Sequence, residues 1–299
     1  MSFEKPINIA EEKVIRMEDF KKSHEKIFKA KEIMREDFLG RKEVEKALGI
    51  KIDPEKIPEI PFSKEDLERA RELNHFLILR VGETADGKKL TIENINKLLK
   101  KEPKNRKKFL ANEDEDGNIY YSAWFKNEDF AVEDTPKNSW ALVSKELVPA
   151  SEGTKYVEQT QEIISYLKNQ VFKDKELPKK IQSAVIEFES KKDNLKKIIN
   201  DCGSEDGMKR AANALTELEI TKILRPTPVE IFYDACVLQQ KNEERLIKNS
   251  SVAALTSKTD SENYFVYLVN PGTGGMDFDR ISPRGASSRI GTFFSRTST

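Results

Sequence analysis

The sequence predicts an α+β protein in which a helical N-terminal segment precedes a larger mixed domain. Three observations predict this class. A continuous apolar run, Phe76–Leu79, is typical of a strand buried on both faces. Residues 155–246 repeat apolar positions at helical spacing. Residues 263–299 return to strand and turn chemistry, with aromatic and β-branched runs separated by Gly, Ser and Asp.

Composition indicates a folded chain without a global electrostatic field. Hydrophobic residues make up 37% and charged residues 35%, and the apolar residues are patterned, so wholesale disorder is not expected. Lys plus Arg and Asp plus Glu are equal at 52 each. This balance gives no overall attraction for nucleic acid or an anionic membrane.

Cysteines and the N-terminus indicate a cytoplasmic chain. Cys202 and Cys236 are too few for a disulfide framework and lack neighbours at zinc-ligand spacing. Residues 1–16 lack the apolar core of a secretory signal, and no run reaches the length of a membrane span. We therefore expect a cytoplasmic protein without membrane insertion.

The N-terminal segment, residues 1–62, is predicted to be helical and to end in a linker. Two short helices are expected within Glu11–Ile50, and the stretch Arg41–Leu48 is predicted to end at Gly49. The Pro-bearing stretch Ile52–Pro61 is typical of an extended linker. We place a domain boundary after residue 62.

The domain of residues 63–299 opens with a capped helix and the Phe76 strand. Ser63 can cap that helix, and Asp66 stands three residues later, as in a capping box. The stretch Leu90–Leu99 predicts an amphipathic helix, while Ile119–Phe125 and Trp140–Val143 predict two strands.

The helical part, residues 155–246, contains the clearest helix start in the chain. Thr227 is a cap, Pro228 occupies the first helical position, and Glu230 completes a capping box. The apolar stripes of this part are interpreted as core; one of them is Ile181, Ala184, Val185, Phe188, Leu195, Ile198 and Ile199.

Residues 263–299 differ from the rest of the chain. Lys258 is the last lysine and Glu262 the last glutamate of a sequence rich in both. Two strands are predicted, Tyr264–Val269 and Ile290–Phe294, and the segment between them has turn chemistry. Because loops on a packed scaffold often carry recognition, we expect the binding surface here.

No catalytic, cofactor or metal site is predicted, and we expect a protein that is not an enzyme. Asn112–Gly117 is similar to the start of a calcium loop, but its twelfth position is Ala123, which has no carboxylate. His24 and His75 lack partners at metal-ligand spacing, and Gly272–Gly275 lacks dinucleotide-site spacing. A Ser-His-Asp hydrolase stays open, although no nucleophile elbow supports it.

A second hypothesis is nucleic-acid binding through the terminal segment. No acid follows Asp279, whereas four arginines do: Arg280, Arg284, Arg289 and Arg296. Phe293 and Phe294 would then stack on bases. The alternation within Ile290–Phe294 favours a buried strand instead.

The C-terminal half resembles the variable proteins of diversity-generating retroelements, bacterial and phage systems in which reverse transcription rewrites a short coding stretch. The resemblance is strongest over about residues 224–297, and its motifs are Arg225–Glu230, Phe265–Tyr267, Gly274–Gly275, Pro283 and Ile290–Arg296. It implies a C-type-lectin-like fold whose terminal strand pairs with the first strand, here the Phe293 and Phe76 strands. The helical part would be an insertion that decorates this scaffold.

The resemblance also implies which residue types should be absent from the varied positions of residues 263–299. Such systems mutate template adenines, so varied positions do not become Lys, Glu, Gln, Trp or Met. Residues 263–299 contain no Lys, Glu, Gln or Trp, and Met276 is the one exception. A plain Gly/Ser-rich tail would more readily contain Lys, Glu or Gln.

By this resemblance, a hypervariable surface binds a protein or another macromolecule, without a cofactor. Phe265, Val266, Phe293 and Phe294 are expected to hold the scaffold. No calcium-ligating Glu-Pro-Asn triplet occurs, so calcium-dependent sugar binding is not implied. The expected ligand-binding positions are Tyr264, Tyr267, Val269, Asn270, Thr273, Asp277, Asp279, Arg280, Ser282, Arg284, Ala286, Ser287, Ser288, Arg289 and Thr292.

Overall fold

The computed structural model describes residues 23–101, 125, 127–242, 246, 252–258, 264–269, 277–286 and 290–297. The helices are α1 (23–34), α2 (Arg41–Leu48), α3 (Lys64–Glu72), α4 (Ile92–Lys100), α5 (Asp129–Val132), α6 (Tyr156–Tyr166), α7 (Lys179–Asn200), α8 (Glu205–Thr216), α9 (Glu219–Leu224) and α10 (Pro228–Asn242). The strands are β1 (Phe38–Leu39), β2 (His75–Arg80), β3 (Ser139–Ser144), β4 (Val252–Lys258), β5 (Phe265–Val269), β6 (Asp277–Ile281), β7 (Ile290–Gly291) and β8 (Ser295–Arg296). The predicted α+β class and the helical part are therefore confirmed.

The first sheet has the strand order β1-β2-β3-β8. Its centre is the antiparallel pair β2 and β3, whose register runs from His75 opposite Ser144 to Arg80 opposite Ser139. Every β2 side chain is buried, as the continuous apolar run predicted. The predicted strand at Trp140–Val143 lies within β3.

The second sheet has the order β6-β5-β4-β7. β5 is antiparallel to both β4 and β6, and β7 is parallel to β4. β5 confirms the predicted strand at Tyr264–Val269, whereas β4 and β6 were not predicted from the sequence. β6 is an edge strand among the described residues and carries the expected binding positions Asp277, Asp279 and Arg280.

The terminal segment connects the two sheets, and its predicted pairing is wrong. Ile290–Phe294 was expected to be one strand beside the Phe76 strand. Instead the strand ends at Gly291, Thr292–Phe294 is buried without strand structure, and β8 then pairs with β3. β8 cannot pair with β2 because β1 occupies one edge of β2 and β3 the other.

Two apolar clusters form the core. The first contains side chains of α1, β1 and α2 together with β2, β3, α4 and α10. The second contains side chains of α6, α7, α8 and α9, joined by Phe265, Ile290 and Phe294 from the C-terminal segment. Because Met34, Phe38 and Val44 share the first cluster with β2, the boundary expected after residue 62 does not separate two packed bodies.

The capping residues that predicted the ends of α2, α3 and α10 lie at those ends in the structure. The Ser63 hydroxyl accepts from the Asp66 N–H at 3.1 Å, and the Asp66 carboxylate accepts from the Ser63 N–H at 3.1 Å. Thr227 and Glu230 form the same pair of bonds before α10, at 3.0 and 3.3 Å. α2 ends at Gly49, which is left-handed with φ 66°.

Several predictions lie outside the described residues. They are the strand at residues 119–124, the acidic stretch Asn112–Gly117 and the turn Gly272–Gly275. Across the described part of the chain, no helix has both the length and the apolar character needed to cross a membrane.

Candidate functional site

Aromatic and aliphatic side chains fix the C-terminal segment in the core, as expected for Phe265, Val266, Phe293 and Phe294. These four are at most 1% exposed. The Phe265 ring stacks on Tyr156 with 4.3 Å between centroids, and Phe294 lies 5.6 Å from Tyr166. Burying one such ring contributes about 1.5–3 kcal/mol, so the segment is held along its length.

A buried ion pair holds β8 from one side. Arg80, at the end of β2, donates from Nε to Asp234 Oδ1 at 3.0 Å and from Nη2 to Ser295 Oγ at 3.0 Å. Glu230 lies 3.4 Å from the same guanidinium. Burial raises the pKa of the Asp234 carboxyl to about 6, while the Arg80 charge opposes the shift. The carboxylate is therefore ionised at neutral pH, which keeps the guanidinium paired.

Arg296 holds β8 from the other side. Its guanidinium bridges Asp66 at 3.2 Å and lies over the Phe62 and Phe172 rings, 5.0 and 4.9 Å from their centroids. Only 5% of Arg296 is exposed. Because an Arg cation over aromatic faces gains both packing and electrostatic energy, this residue ties β8 to α3 and to the end of α6.

Thr292 is a correction to the predicted binding positions, since it is 0% exposed. Its hydroxyl accepts from Arg225 Nη1 at 3.1 Å, and its backbone N–H donates to Ser151 Oγ at 3.1 Å. The Arg225 guanidinium also lies 3.8 Å over the Tyr156 ring. Thr292 therefore belongs to the scaffold and presents nothing to a ligand.

Four predicted positions whose side chains are described lie on or directly beside the β5–β6 ribbon, on its two faces. Tyr267 lies opposite Asp279, and its hydroxyl donates to Asp279 Oδ2 at 2.8 Å. Arg280 lies opposite Val266, with its Cζ 5.5 Å from the Tyr264 ring centroid. Since successive strand residues point to opposite faces, the Tyr267 pair and the Arg280 pair face opposite ways. The two faces meet at the β6 edge.

A tight turn follows β6 and carries three more positions. The Gly285 N–H donates to the Ser282 carbonyl at 2.8 Å, which closes the turn. Arg284 and Ala286 are exposed and Ser282 is partly exposed. Arg284 Nε also donates to the Ile199 carbonyl at 3.3 Å, so the turn lies against the end of α7. The turn therefore continues, along the chain, the strip of predicted positions that begins on the two faces of the β5–β6 ribbon.

We call this strip the terminal surface; its described members are Tyr264, Tyr267, Asp279, Arg280, Ser282, Arg284 and Ala286. The strand positions Val269 and Asp277 are described by their backbone alone. The remaining predicted positions lie outside the described residues: Asn270, Thr273, Ser287, Ser288 and Arg289.

The nucleic-acid hypothesis gains no support from this geometry. Phe293 and Phe294 are 1% and 0% exposed, so their rings would have to leave the core to stack on bases. Arg296 is buried against Asp66. Of the three arginines in the described part of the segment, Arg280 and Arg284 remain at the surface and Arg296 does not; Arg289 lies outside the described residues.

Sequence reasoning missed the role of the polar residues that hold the segment, namely the buried Arg80, Asp234 and Arg225, and the partly exposed Asp66 that pairs with Arg296. One signal was present: Asp234 lies on α10 between apolar residues, where a carboxylate needs a partner. Its partner was not identifiable, because 154 residues separate Arg80 from Asp234.

Comparisons with protein-family models, curated proteins and solved structures give no significant match. Among the described side chains, no three His, Cys, Asp or Glu residues are grouped as a metal site would require. Function is therefore inferred from the geometry of the chain itself.

Proposed function

We propose that this chain is a variable ligand-binding protein of a diversity-generating retroelement, and that it presents replaceable side chains on its terminal surface. One observation carries the proposal. Within a single segment, Phe278, Phe293 and Phe294 are fully buried, whereas Asp279 and Arg284 between them are exposed. A segment built in this way can change its exposed side chains while its packing stays constant.

Composition supports the same function. Residues 263–299 contain no Lys, Glu, Gln or Trp, four of the five residue types that adenine mutagenesis of the template does not produce; the fifth, Met, occurs once, at Met276. The buried residues of the segment are apolar or, like Thr292, have fixed hydrogen bonds. Selection for packing would preserve the buried residues, and template mutagenesis would vary the exposed ones. Together these two processes would produce the observed composition of the segment.

The side chains of the terminal surface suit macromolecular recognition. Tyr264 and Tyr267 offer large aromatic area with little rotamer entropy to lose, and Ser282 offers adaptable hydrogen bonding. Tyr267 and Asp279 already bond to each other, which orders both groups before a ligand arrives. The proposed ligand is a protein or another macromolecule.

The C-type-lectin-like framework is part of this proposal. Its support is that the terminal strand β8 returns to the sheet that contains β2. This chain departs from the expected pattern because β8 lies beside β3, which separates it from β2, the neighbour that the resemblance implied.

DNA sequencing downstream of the coding region tests the proposed function. We expect a near-identical repeat of the segment that encodes residues 263–299, mismatched at template adenines, with a reverse-transcriptase gene nearby. The mismatches should fall on codons of the terminal surface and not on those of Phe293, Phe294 or Thr292. Absence of the repeat, or mismatches in the buried codons, would contradict the proposal.

A further inference from the structure

A cleft of about 400 Å³ lies between two parts of the chain, and none of its lining residues belongs to the terminal surface. One wall is the connection from β3 to α6, including Glu146 and Leu147. The other wall is the end of α6 and the π-helical turn Leu167–Val171, including Glu162 and Tyr166. The volume is within the range of small-molecule sites in proteins.

Both walls have irregular backbone that the packing holds in place. Ala150 is left-handed with φ 62°, which is costly for a residue with a Cβ. Val148 fixes this wall by donating its N–H to the Thr292 carbonyl at 2.8 Å. The opposite wall is a π-helical turn, a feature often found at functional sites. The cleft is therefore formed before any ligand enters.

The charged side chains that line the cleft are both carboxylates, Glu146 and Glu162. Tyr166 adds a hydroxyl, which lies 2.8 Å from Nε2 of the buried His75. Burial raises the pKa of Tyr166 to about 12; Arg69 opposes this shift and Glu146 adds to it. Burial likewise lowers the pKa of His75 to about 3, so the imidazole is neutral. The polar lining is thus negative and rich in hydrogen-bond acceptors.

Arg69 borders the cleft through its contact with Gln170. It donates from Nε to the Gln170 carbonyl at 2.8 Å and from Nη1 to Glu72 at 2.8 Å. Its carboxylate partner is therefore Glu72, which does not line the cleft.

We propose that this cleft binds a small organic ammonium ion, with Glu146 and Glu162 as its carboxylate partners and the Tyr166 side chain as a third contact. The apolar wall residues Leu73, Leu147 and Val148 would contact an aliphatic chain. The site lies outside residues 263–299, so it goes beyond the proposed function and does not depend on it.

Titration of the full chain with cadaverine, followed by amide NMR, tests the proposal. Pentanediol and glutarate are matched neutral and anionic probes of similar length. We expect saturable shifts from cadaverine at residues 146–150 and 162–170, and none from the other two probes. Glu146→Gln and Glu162→Gln should each weaken binding by about tenfold, because each removes one charge-assisted hydrogen bond.

Glu176→Gln is the matched control, since it removes the same charge at an exposed residue outside the cleft. Its affinity for cadaverine should equal that of the unmodified chain. The proposal is overturned if cadaverine gives no saturable shifts, if pentanediol binds equally well, or if Glu176→Gln weakens binding as much as the cleft variants. Two separate cleft variants keep the test valid if one of them fails to fold.

Discussion

At the scale of single residues, buried charged and polar groups decide how the C-terminal segment is held. Arg80 reaches both Asp234 on α10 and Ser295 on β8, so one guanidinium joins two distant parts of the chain. A buried pair of this kind contributes little compared with apolar packing, yet removing one partner leaves an uncompensated charge. The pair therefore acts mainly by fixing where β8 lies.

Asp234→Asn should lower the free energy of unfolding by about 3 kcal/mol, because Arg80 would stay buried with only Glu230 as an acidic partner at 3.4 Å. Urea denaturation measures the change. Glu25→Gln, which breaks the exposed pair with Lys29, is the control and should have no measurable effect. An Asp234→Asn variant as stable as the original chain would show that the pair does not hold β8.

The lowered pKa of the buried His75 leads to a prediction of how the free energy of unfolding depends on pH. Burial lowers its pKa from 6.5 to about 3, so between these values the unfolded chain binds a proton that the folded chain excludes. The unfolded state therefore gains this proton as pH falls, and the contribution of His75 to the free energy of unfolding decreases from pH 6.5 towards pH 3. The raised pKa of Asp234 acts with the opposite sign in this window, so the contribution of His75 is measured by comparing variants.

Urea denaturation at several pH values measures this dependence. His75→Phe should show a smaller decrease over the same window, because its ring does not titrate. Equal slopes for His75→Phe and the original chain would contradict this role.

At the scale of elements, the β6 strand and the turn after it define the terminal surface. β6 has charged residues at Asp277, Asp279 and Arg280, which are poor strand formers but protect an edge strand from pairing with other chains. Its strand structure comes from pairing with β5 and from the buried Phe278. Local propensity opposed this element, and tertiary packing produced it.

The turn after β6 predicts that substitutions at two adjacent small residues change the free energy of unfolding by different amounts. A Cβ on Gly285 would come within 2.5 Å of Ile281 Cδ1, whereas Ala286 is exposed. Gly285→Ala should therefore lower the free energy of unfolding by about 1–3 kcal/mol, and Ala286→Ser should change it by less than about 0.5 kcal/mol. Thermal and urea denaturation measure both. Equal effects at the two positions would contradict the described turn.

The helices and strands that could be predicted from the sequence are those whose position is set by residues close to them along the chain. The capping boxes at Ser63 and Thr227 and the apolar run of β2 act within a few positions, so sequence alone placed them correctly. The strand β4, Val252–Lys258, mixes small and polar residues and gave no such signal. The neighbour of β8 depended on β1 occupying an edge of β2, which only the assembled sheet reveals.

The candidate surface was predictable in part for the same reason. Phe265 and Val266 were correctly expected in the scaffold, and the partly exposed Tyr267 was correctly expected among the surface positions. The expectation was wrong at Thr292, where the chain leaves strand geometry and the hydroxyl accepts a hydrogen bond from Arg225. The hydrogen bond that buries Thr292 joins residues 67 positions apart, beyond any local pattern.

At the scale of the whole molecule, the last described residues close the fold. β7 completes the second sheet, β8 completes the first, and the buried stretch Thr292–Phe294 passes between them. Because Phe293 belongs to the first apolar cluster and Phe294 to the second, this short stretch joins the two cores. The terminal surface is therefore supported by the whole fold, which is what a replaceable binding surface requires.

A substitution scan over residues 264–296, with stability of every variant measured by protease resistance, tests this account most directly. We predict two classes of position. Asp279, Arg284 and Ala286 should accept most residue types with little loss of stability, whereas Phe278, Phe293, Phe294 and Thr292 should accept few. Uniform tolerance across the segment, or intolerance at Asp279, Arg284 and Ala286, would contradict the claim that a packed scaffold carries exchangeable surface residues.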